Sequence, residues 1–241
     1  MAAGSGTIIS AGRTITSVCY RGTVVKGDGI QLKLNDLKRR LRMLKQPDRP
    51  NASLEQYHTE TDTASAILFD AAMRHDIEGK SVADLGCGAG VFAIGAMMLG
   101  ASSATGVDID ERSIEIAQSN ARMLLDSDIS ERITFITSDV LKFSGRFDTV
   151  FQNPPFGSQS RNADVPFIKK ALSIADTVYT IHLAETEEFI RDTIKRFGGK
   201  VVVTRLFTYS MSRTFDFHEM DSREFSLILY KAVKDDNVEV R

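Results

Sequence analysis

The residues of this chain best suited to chemistry are Asn153, Pro154, Pro155 and Phe156, in the stretch DTVFQNPPFG. The side-chain oxygen of Asn153 and the backbone oxygen of Pro154 can accept hydrogen bonds from a planar NH2 group, and the ring of Phe156 offers a surface for stacking. Two consecutive prolines fix φ and remove backbone donors, which makes the turn stiff. We therefore predict that these four residues bind a planar amino group, with an ordinary proline-rich turn after a strand as the alternative.

A glycine-rich turn lies upstream, in the segment SVADLGCGAGVFAIGAMMLG at 81–100. A short β-type run leads into this turn, and an apolar helical stretch follows it. Glycines let a turn close tightly and let a ligand approach the backbone, while the next helix presents unsatisfied N–H groups. Proteins that bind NAD, FAD or S-adenosylmethionine all use such a turn, so the turn alone does not decide between these cofactors. The residues that we assign to cofactor binding here are Asp84, Gly86, Gly88, Ala89 and Val91.

Two acidic residues at the ends of the next predicted strands narrow the choice of cofactor. Asp108 ends SATGVDID about twenty residues after the glycines, where a carboxylate can accept hydrogen bonds from both ribose hydroxyls. Asp139, followed by Val140, ends ITFITSDV in a position suited to an adenine amino group. The glycine turn, the ribose acid, the adenine acid and the Asn-Pro-Pro-Phe box thus occur in one order at strand ends.

This order resembles the Rossmann-like methyltransferases that use S-adenosylmethionine to methylate exocyclic amino nitrogens. The chain is similar in particular to the methyltransferase-like protein five family, over about 51–233. The segments that carry this resemblance are LEQYHTETDTASAIL, ADLGCGAG, DIDE, NPPFG and VYTIH. The resemblance implies an enzyme that makes N6-methyladenosine in the rRNA of the small ribosomal subunit, with S-adenosylmethionine as cofactor.

The resemblance also implies roles that the residue types alone do not give. Gln56 and Thr59 are expected to reach the methionine end of the cofactor, and Tyr57 to close over it. Relatives of this kind are joined by a small zinc-binding activator protein through an exposed sheet edge. In this chain we expect that edge beside the strand near 104–108.

Predicted strands and helices alternate along the chain and must position these residues. The predicted strands lie near 81–85, 104–108, 132–137, 147–151, 178–182, 200–207 and 224–231. The predicted helices lie near 63–74, 90–99, 111–125, 164–175 and 185–197. This alternation favours a mainly parallel sheet with helices on both faces, and two last strands without a helix between them predict an antiparallel hairpin. We expect a Rossmann-like class I methyltransferase domain of seven strands over 51–233, followed by a tail at 234–241.

The first fifty residues differ from the rest in composition. Residues 1–30 are rich in Gly, Ser and Thr, and we expect a disordered extension, with a small β-hairpin as the alternative. The segment at 31–50 has leucines at three- and four-residue steps, which predicts an amphipathic helix ended by Pro47. Seven basic residues against two acidic ones give this segment a charge of +5, so its outer face is either simply solvated or holds rRNA phosphates.

Three other features carry open alternatives. Phe167 either forms part of the pocket wall or packs in the core, and His182 either contacts substrate or is a hydrogen-bonded structural residue. The stretch at 205–223 mixes basic and aromatic residues, which suits unstacked RNA, but a long hairpin loop can also pack over the sheet edge.

Composition limits the remaining possibilities. The 241 residues carry 30 basic and 32 acidic side chains, a net charge of −2, so any RNA contact must come from a local patch. No apolar run is long enough for a membrane span, and no group of Cys and His has the spacing of a metal site. Two cysteines make a disulfide framework improbable, and a cytoplasmic setting is expected.

Two alternatives to RNA adenine methylation remain at this stage. Protein glutamine-N5 methyltransferases carry a similar Asn-Pro-Pro-aromatic box, because a glutamine amide satisfies the same acceptors as an adenine amino group. Those enzymes also carry a separate N-terminal helical bundle, in place of which this chain has a short basic helix. A catalytically inactive nucleic-acid-binding protein of the same fold is the second alternative, and the intact acids at 84, 108 and 139 together with Asn153 argue against it.

Overall fold

A nine-stranded sheet forms the centre of the computed structural model, which describes residues 7–10, 13–16, 24–27, 30–47, 59–155, 163–212 and 222–235. The strands in chain order are β1 (Thr7–Ser10), β2 (Arg13–Thr16), β3 (Val24–Gly27), β4 (Ile30–Lys33), β5 (Ser81–Leu85), β6 (Ser103–Asp108), β7 (Ile133–Thr137), β8 (Phe147–Gln152), β9 (Ala175–Leu183), β10 (Gly199–Ser212) and β11 (Ser222–Lys234).

Helices connect most of the strands from β5 onward. They are α1 (Leu34–Leu41), α2 (Thr61–Met73), α3 (Val91–Met98), α4 (Glu111–Leu124), α5 (Ser127–Ser130), α6 (Asp164–Ile174) and α7 (Glu187–Arg196), with a 3-10 turn at Ala184–Thr186 before α7. None of the helices in the described part of the chain is long and apolar enough to cross a membrane.

The strand order confirms the predicted fold class. Across the sheet the order is β2-β1-β10-β11-β9-β8-β5-β6-β7. The five strands from β5 to β9 run parallel, and β11 lies antiparallel between β9 and β10. Strands β5 to β11 are thus the seven expected strands, and the last two form the expected hairpin. The sheet order changes direction between β5 and β8, and in open α/β sheets ligands bind at such a switch point, outside the carboxyl ends of the strands.

Apolar side chains on both faces of the sheet explain why helices cover both faces. On one face Phe151 stacks between Phe92 and Tyr179, with ring centroids 5.4 Å and 5.0 Å away, beneath helices α1 to α3. On the other face Val150 and Val178 pack beneath α6 and α7. Neighbouring residues of one strand face opposite sides, so the adjacent buried pairs Val150–Phe151 on β8 and Val178–Tyr179 on β9 show that both faces of these strands are covered.

Within the first thirty residues the structure differs from the expected disordered extension. Strand β1 pairs antiparallel with β10, through Thr7 opposite Leu206, and β2 pairs with β1. The sequence TIIS is rich in β-branched residues, and β10 offers an edge with unpaired backbone groups, so addition of a strand satisfies both. Strands β3 and β4 form a separate two-stranded sheet.

The basic helix is shorter than predicted, because α1 ends at Leu41 and not at Pro47. A turn follows, in which the Leu44 N–H donates to Leu41 O at 3.1 Å. The predicted leucine stripe is confirmed: Leu37 and Leu41 are fully buried and Leu44 is buried. These leucines dock the helix on α2 and α3, so α1 is part of the folded body.

Candidate active site

Strand register brings the predicted site residues to one edge of the sheet. Leu85 pairs with Val107 on one side and with Gln152 on the other, and Asp108 pairs with Thr137. The residues that follow these strand ends are therefore neighbours in space. Along this edge lie the glycine turn after β5, Asp108 at the end of β6, Asp139 after β7 and Asn153 after β8.

The glycine turn is fixed by its backbone and leaves open space at its centre. The N–H groups of Gly86 and Cys87 donate to Val107 O at 2.8 Å and 3.0 Å. Gly88 has φ of 50°, and a Cβ added there would meet no atom within 4 Å. Gly90, with φ of 87°, begins α3, and a Cβ there would lie 3.0 Å from the Phe135 ring. Gly90 thus serves close packing, whereas the open space at Gly88 fits a bound cofactor.

Asp84 supports the helix that follows the turn. Its side chain is 1% exposed, and its Oδ2 accepts a hydrogen bond from the Ala93 N–H at 3.0 Å. Burial raises the pKa of Asp84 to about 7, and the nearby Asp108 carboxylate adds to this rise, while hydrogen bonds from the Ala93 and Phe92 amides oppose it. A carboxylate at the first turn of α3 also lies favourably in the field of the helix dipole.

Asp108 connects the second strand to the glycine turn. Its Oδ2 accepts from the Gly88 N–H at 2.8 Å, and its Oδ1 accepts from the Asp110 N–H at 3.0 Å. Burial raises the pKa of Asp108, and these backbone donors oppose that rise. Each carboxylate oxygen has further lone pairs, so this side chain can also accept hydrogen bonds from ribose hydroxyls.

Asp139 lies one strand further along the same edge. The Ser138 N–H donates to Asp108 O at 2.8 Å, which joins the ends of β6 and β7. Oδ1 of Asp139 accepts from the Leu141 N–H at 2.9 Å, and the Val140 side chain is buried in the core beneath α6. Two carboxylates at adjacent strand ends suit the two hydrogen-bonding ends of an adenosine.

Asn153 extends from the end of β8 toward the segment before α2. Its Nδ2 donates to Thr59 Oγ1 at 3.0 Å. Pro154 is buried and Pro155 is half-buried. The NH2 end of the Asn153 amide thus binds Thr59, and the buried carbonyl oxygen lies at the other end of the same amide. Gln56, Tyr57 and Phe156, which complete the predicted set, lie outside the described residues.

Phe167 and His182 both make contacts within the protein. Phe167 is half-buried, and a Cβ on Gly86 would lie 3.5 Å from its ring, so the ring lies next to the glycine turn, which agrees with either alternative for this residue. His182 is 1% exposed, and its Nδ1 lies 3.1 Å from Asp164 Oδ2.

The stretch predicted as a loop at 205–223 is mostly strand. β10 extends to Ser212 and β11 begins at Ser222, so the connection is much shorter than expected. Arg205 is 4% exposed and its guanidinium lies 4.9 Å from the centre of the Phe207 ring. Arg205 is therefore part of the protein interior, and for this residue the structure favours packing, the second of the two alternatives, over RNA contact.

Asn120 is a residue of the site that the sequence analysis missed. It is fully buried on α4; its Nδ2 donates to Ala89 O in the glycine turn at 3.1 Å and to Lys45 O at 3.0 Å. Its Oδ1 accepts from the Lys45 N–H at 2.9 Å. One amide thus joins the cofactor turn to the segment after α1. The available signal was its position, three residues after Ala117 and on the same apolar face of α4.

The strand order and the loops at its switch point define the class of protein, a Rossmann-like class I methyltransferase. The family model described as "Methyltransferase small domain" matches residues 57–177, and the chain belongs to that family. Its cofactor is S-adenosylmethionine, in agreement with the open turn at Gly88 and the acids at 108 and 139.

Several proteins are similar to this chain over most of its length and identify a narrower family. It is 34% identical to an uncharacterized protein of Methanocaldococcus jannaschii over 84% of this chain and 95% of the relative. It is 32% identical to the rRNA N(6)-adenosine-methyltransferase METTL5 of Danio rerio over 79% of this chain and 94% of that protein. A crystal structure of a proposed RNA methyltransferase from Pyrococcus horikoshii superimposes with a TM-score of 0.77 at 35% identity, covering 86% of this chain and 100% of that chain. The chain belongs to the methyltransferase-like protein five family.

Proposed function

We propose that this protein methylates the N6 amino nitrogen of an adenosine in rRNA, and that this rRNA is the one of the small ribosomal subunit. The observation that carries the proposal is the orientation of the Asn153 amide, which Thr59 holds by its NH2 end. We assign to the carbonyl oxygen of this amide the acceptance of a hydrogen bond from an incoming amino group. The reaction for which the Danio rerio relative is named supports the choice of base and of RNA class.

Methyl transfer requires little from the protein beyond positioning the amino nitrogen against the methyl group. S-adenosylmethionine supplies a methyl group on a sulfonium, so a C–N bond forms as the C–S bond breaks and the thioether leaves without protonation. The lone pair of an adenine amino nitrogen is delocalised into the ring, which makes it a poor nucleophile. Hydrogen bonds from this NH2 to Asn153 Oδ1 and Pro154 O favour a pyramidal nitrogen and stabilise the positive charge that develops on it. The methylated nitrogen then releases its proton to water, so no general base is required.

The remaining predicted residues are assigned to the cofactor. Asp108 receives the ribose hydroxyls and Asp139 the adenine amino group, with the Val140 backbone beside the ring, while Thr59 lies toward the methionine end. Asp84 acts through α3, since its carboxylate is bound to the amides of that helix. The complete assigned set is Gln56, Tyr57, Thr59, Asp84, Gly86, Gly88, Ala89, Val91, Asp108, Asp139 and Val140, with Asn153, Pro154, Pro155 and Phe156 at the amino group.

The basic face of α1 is the surface that we assign to rRNA phosphates. Arg39 and Arg40 are exposed, and Arg42 and Lys38 form ion pairs with Asp62 at 2.8 Å and 3.4 Å. Burial opposes the shift, yet these two cations hold the pKa of Asp62 below its usual value. Asp62 lies at the start of α2, in the same segment as Thr59, so the face leads toward Asn153. Backbone phosphates at this face would guide the substrate strand into the site.

The edge expected beside the strand near 104–108 is the edge of β7, because β6 itself pairs with β5 and with β7. We assign this open edge to a small zinc-binding activator protein. In the described sheet β7 pairs with β6 on one side only, which leaves backbone groups available for an added strand. Ile109 and Leu141, which follow β6 and β7, are 57% and 50% exposed. Apolar side chains beside an unpaired edge suit a partner that adds a strand and covers them.

A cytoplasmic setting agrees with the state of Cys87. This thiol is free and buried in the glycine turn, and burial raises its pKa well above the usual value of a thiol. Such a thiol is unreactive and needs no oxidising compartment.

The test is transfer of labelled methyl from S-adenosylmethionine to purified small-subunit rRNA, with and without the activator protein, followed by nucleoside analysis. We expect label in N6-methyladenosine. Label in large-subunit rRNA alone would contradict the choice of subunit. Label on added protein, in place of RNA, would overturn the proposal in favour of the glutamine reaction.

A further inference from the structure

A chain of buried polar side chains crosses the ends of β8 and β9, on the face covered by α6. Gln152 Nε2 donates to Thr180 Oγ1 at 3.0 Å, and Thr180 Oγ1 lies 2.7 Å from His182 Nε2. His182 Nδ1 lies 3.1 Å from Asp164 Oδ2. Gln152, Thr180 and His182 are each 1% exposed and Asp164 is 7% exposed, so water does not compete for these bonds.

The direction of each hydrogen bond in this chain follows from its two ends. A carboxylate oxygen accepts hydrogen bonds, so with Asp164 as its partner His182 donates from Nδ1 and its Nε2 is an acceptor. The Thr180 hydroxyl therefore donates to Nε2 and accepts from the Gln152 amide. Burial lowers the pKa of His182, although the Asp164 carboxylate opposes this, so the ring is neutral and suited to this arrangement. The three hydrogen bonds therefore all run in one direction, from Gln152 through Thr180 and His182 to Asp164.

This arrangement of hydrogen bonds lowers the stability of the fold, and the packing of the core does not require it. The bond to Thr180 turns the Gln152 amide so that its Oε1 is buried, and among the described residues this oxygen has no hydrogen-bond partner. A buried acceptor without a partner costs about 1–3 kcal/mol. The residues around these four polar side chains, such as Val150, Val178 and Ile228, are apolar. An apolar residue at position 152 would avoid burying an oxygen without a partner.

The positions of these four side chains along the sequence indicate their role. Gln152 is the residue before Asn153, and Asp164 is the first residue of α6. The four side chains therefore join the two ends of the segment 153–163, which contains the whole Asn-Pro-Pro-Phe box. Because Gln152 and Asn153 are adjacent on the backbone, a shift of the Gln152 side chain moves the amide that receives the substrate.

We infer that Thr180 and His182 are positioning residues for methyl transfer, because through Gln152 and Asp164 they hold both ends of the segment that binds the target amino group. This inference rests on the proposed function for the identity of the substrate, but not for the geometry. It assigns the VYTIH segment a role in the rate of transfer and not in cofactor binding. Neither residue touches the substrate.

The test interrupts this series of hydrogen bonds at Thr180 with almost no change in the volume of that side chain. Thr180→Val removes the hydroxyl, and Thr180→Ser keeps it. Thr149→Val is the matched control, because Thr149 is also 1% exposed, lies on the same strand as Gln152, and donates a hydrogen bond to Asp76 O at 2.7 Å, away from the site. Thermal stability, affinity for S-adenosylmethionine, and kcat and KM with the RNA substrate are measured for all three variants.

We expect Thr180→Val to lower kcat by about ten- to a hundredfold, the loss that a misplacement of about 1 Å can cause. Its affinity for S-adenosylmethionine stays within about twofold of the unmodified protein, and Thr180→Ser restores most of kcat. Thr149→Val loses comparable thermal stability but keeps its kcat. If Thr180→Val loses stability to the same extent as Thr149→Val and keeps its kcat, the hydrogen bonds of Thr180 contribute to stability alone and the inference is wrong.

A second measurement separates this inference from the proposed function and does not need a substrate. Hydrogen exchange is followed at the amides of Phe151, Gln152 and the first turn of α6. Thr180→Val should speed exchange at both places, and Thr149→Val at neither. Unchanged exchange in Thr180→Val would overturn the inference even if the enzyme proves to methylate another acceptor. If Thr180→Val does not fold, Asp164→Ala cuts the same chain at its other end and is judged by the same readouts.

Discussion

Replacing Asn153 by alanine tests the centre of the proposed mechanism. The change removes the acceptor that should stabilise the charge developing on the amino nitrogen, and loss of one such preorganised polar group typically costs about 10²–10³ in kcat. The side chain is half-buried and donates a neutral hydrogen bond to Thr59. Loss of that bond costs about 1 kcal/mol of stability, which corresponds to about 2–4 °C in Tm for a chain of this size. Affinity for S-adenosylmethionine should change by less than about threefold.

Steady-state methyl transfer, calorimetric titration with S-adenosylmethionine and thermal unfolding measure these three quantities. Thr59→Val is the companion variant, because it keeps the Asn153 amide and removes only the bond that orients it. We expect it to lower kcat less than Asn153→Ala does. A loss of S-adenosylmethionine affinity comparable to the loss of kcat in Asn153→Ala would refute the reasoning, since Asn153 would then be a cofactor ligand.

Three further predictions concern the surroundings of the site. Asn120→Leu removes three hydrogen bonds of a fully buried side chain and should cost about 2–4 kcal/mol of unfolding free energy in urea and weaken S-adenosylmethionine binding, whereas unchanged binding would show that the cofactor turn does not depend on it. The folded-state pKa of Asp84, about 7, lies above its unfolded value of 3.8, so the folded state binds more protons between pH 4 and 7 and stability falls as pH rises through that range, by on the order of 4 kcal/mol. Asp84→Asn should flatten this part of the urea-unfolding profile, and an unchanged slope would contradict the raised pKa. Arg40→Glu should raise the KM for RNA and reduce its salt dependence without affecting S-adenosylmethionine binding, while the same reversal at exposed Lys195 on α7 should do neither.

The sequence predicted the sheet well because its strands are apolar runs bounded by turn residues. Predicted strands such as 81–85 and 147–151 agree with Ser81–Leu85 and Phe147–Gln152 to within a residue. The acids at 108 and 139 were predictable for the same reason: their positions follow from the strand ends, and parallel strands bring those ends to one edge.

What could not be predicted depends on contacts between distant segments. Asn120 binds Lys45 across 75 positions of sequence, and Thr59 meets Asn153 across 94. Neither pair has a spacing or a pattern that a single sequence reveals. The hydrogen bonds that lead from Gln152 to Asp164 join side chains of two paired strands and of the first turn of a helix. Only the strand register brings these side chains together. The length of α1 was overestimated because its leucine pattern continues to Leu44 after the helical hydrogen bonds end.

The docking of α1 determines where a shortened version of this protein can begin. A chain starting at residue 51 would keep every residue assigned to the cofactor and to the amino group. It would nevertheless lose the Leu37 and Leu41 side chains, and a Cβ on Gly95 of α3 would lie only 3.4 Å from Leu41 Cδ1, so this truncation uncovers the back of the helix that starts at the glycine turn. It would also remove the Lys45 backbone that holds Asn120 against Ala89 O. The smallest autonomous catalytic unit therefore includes the basic helix, and the surface assigned to RNA cannot be deleted without exposing apolar surface next to the cofactor.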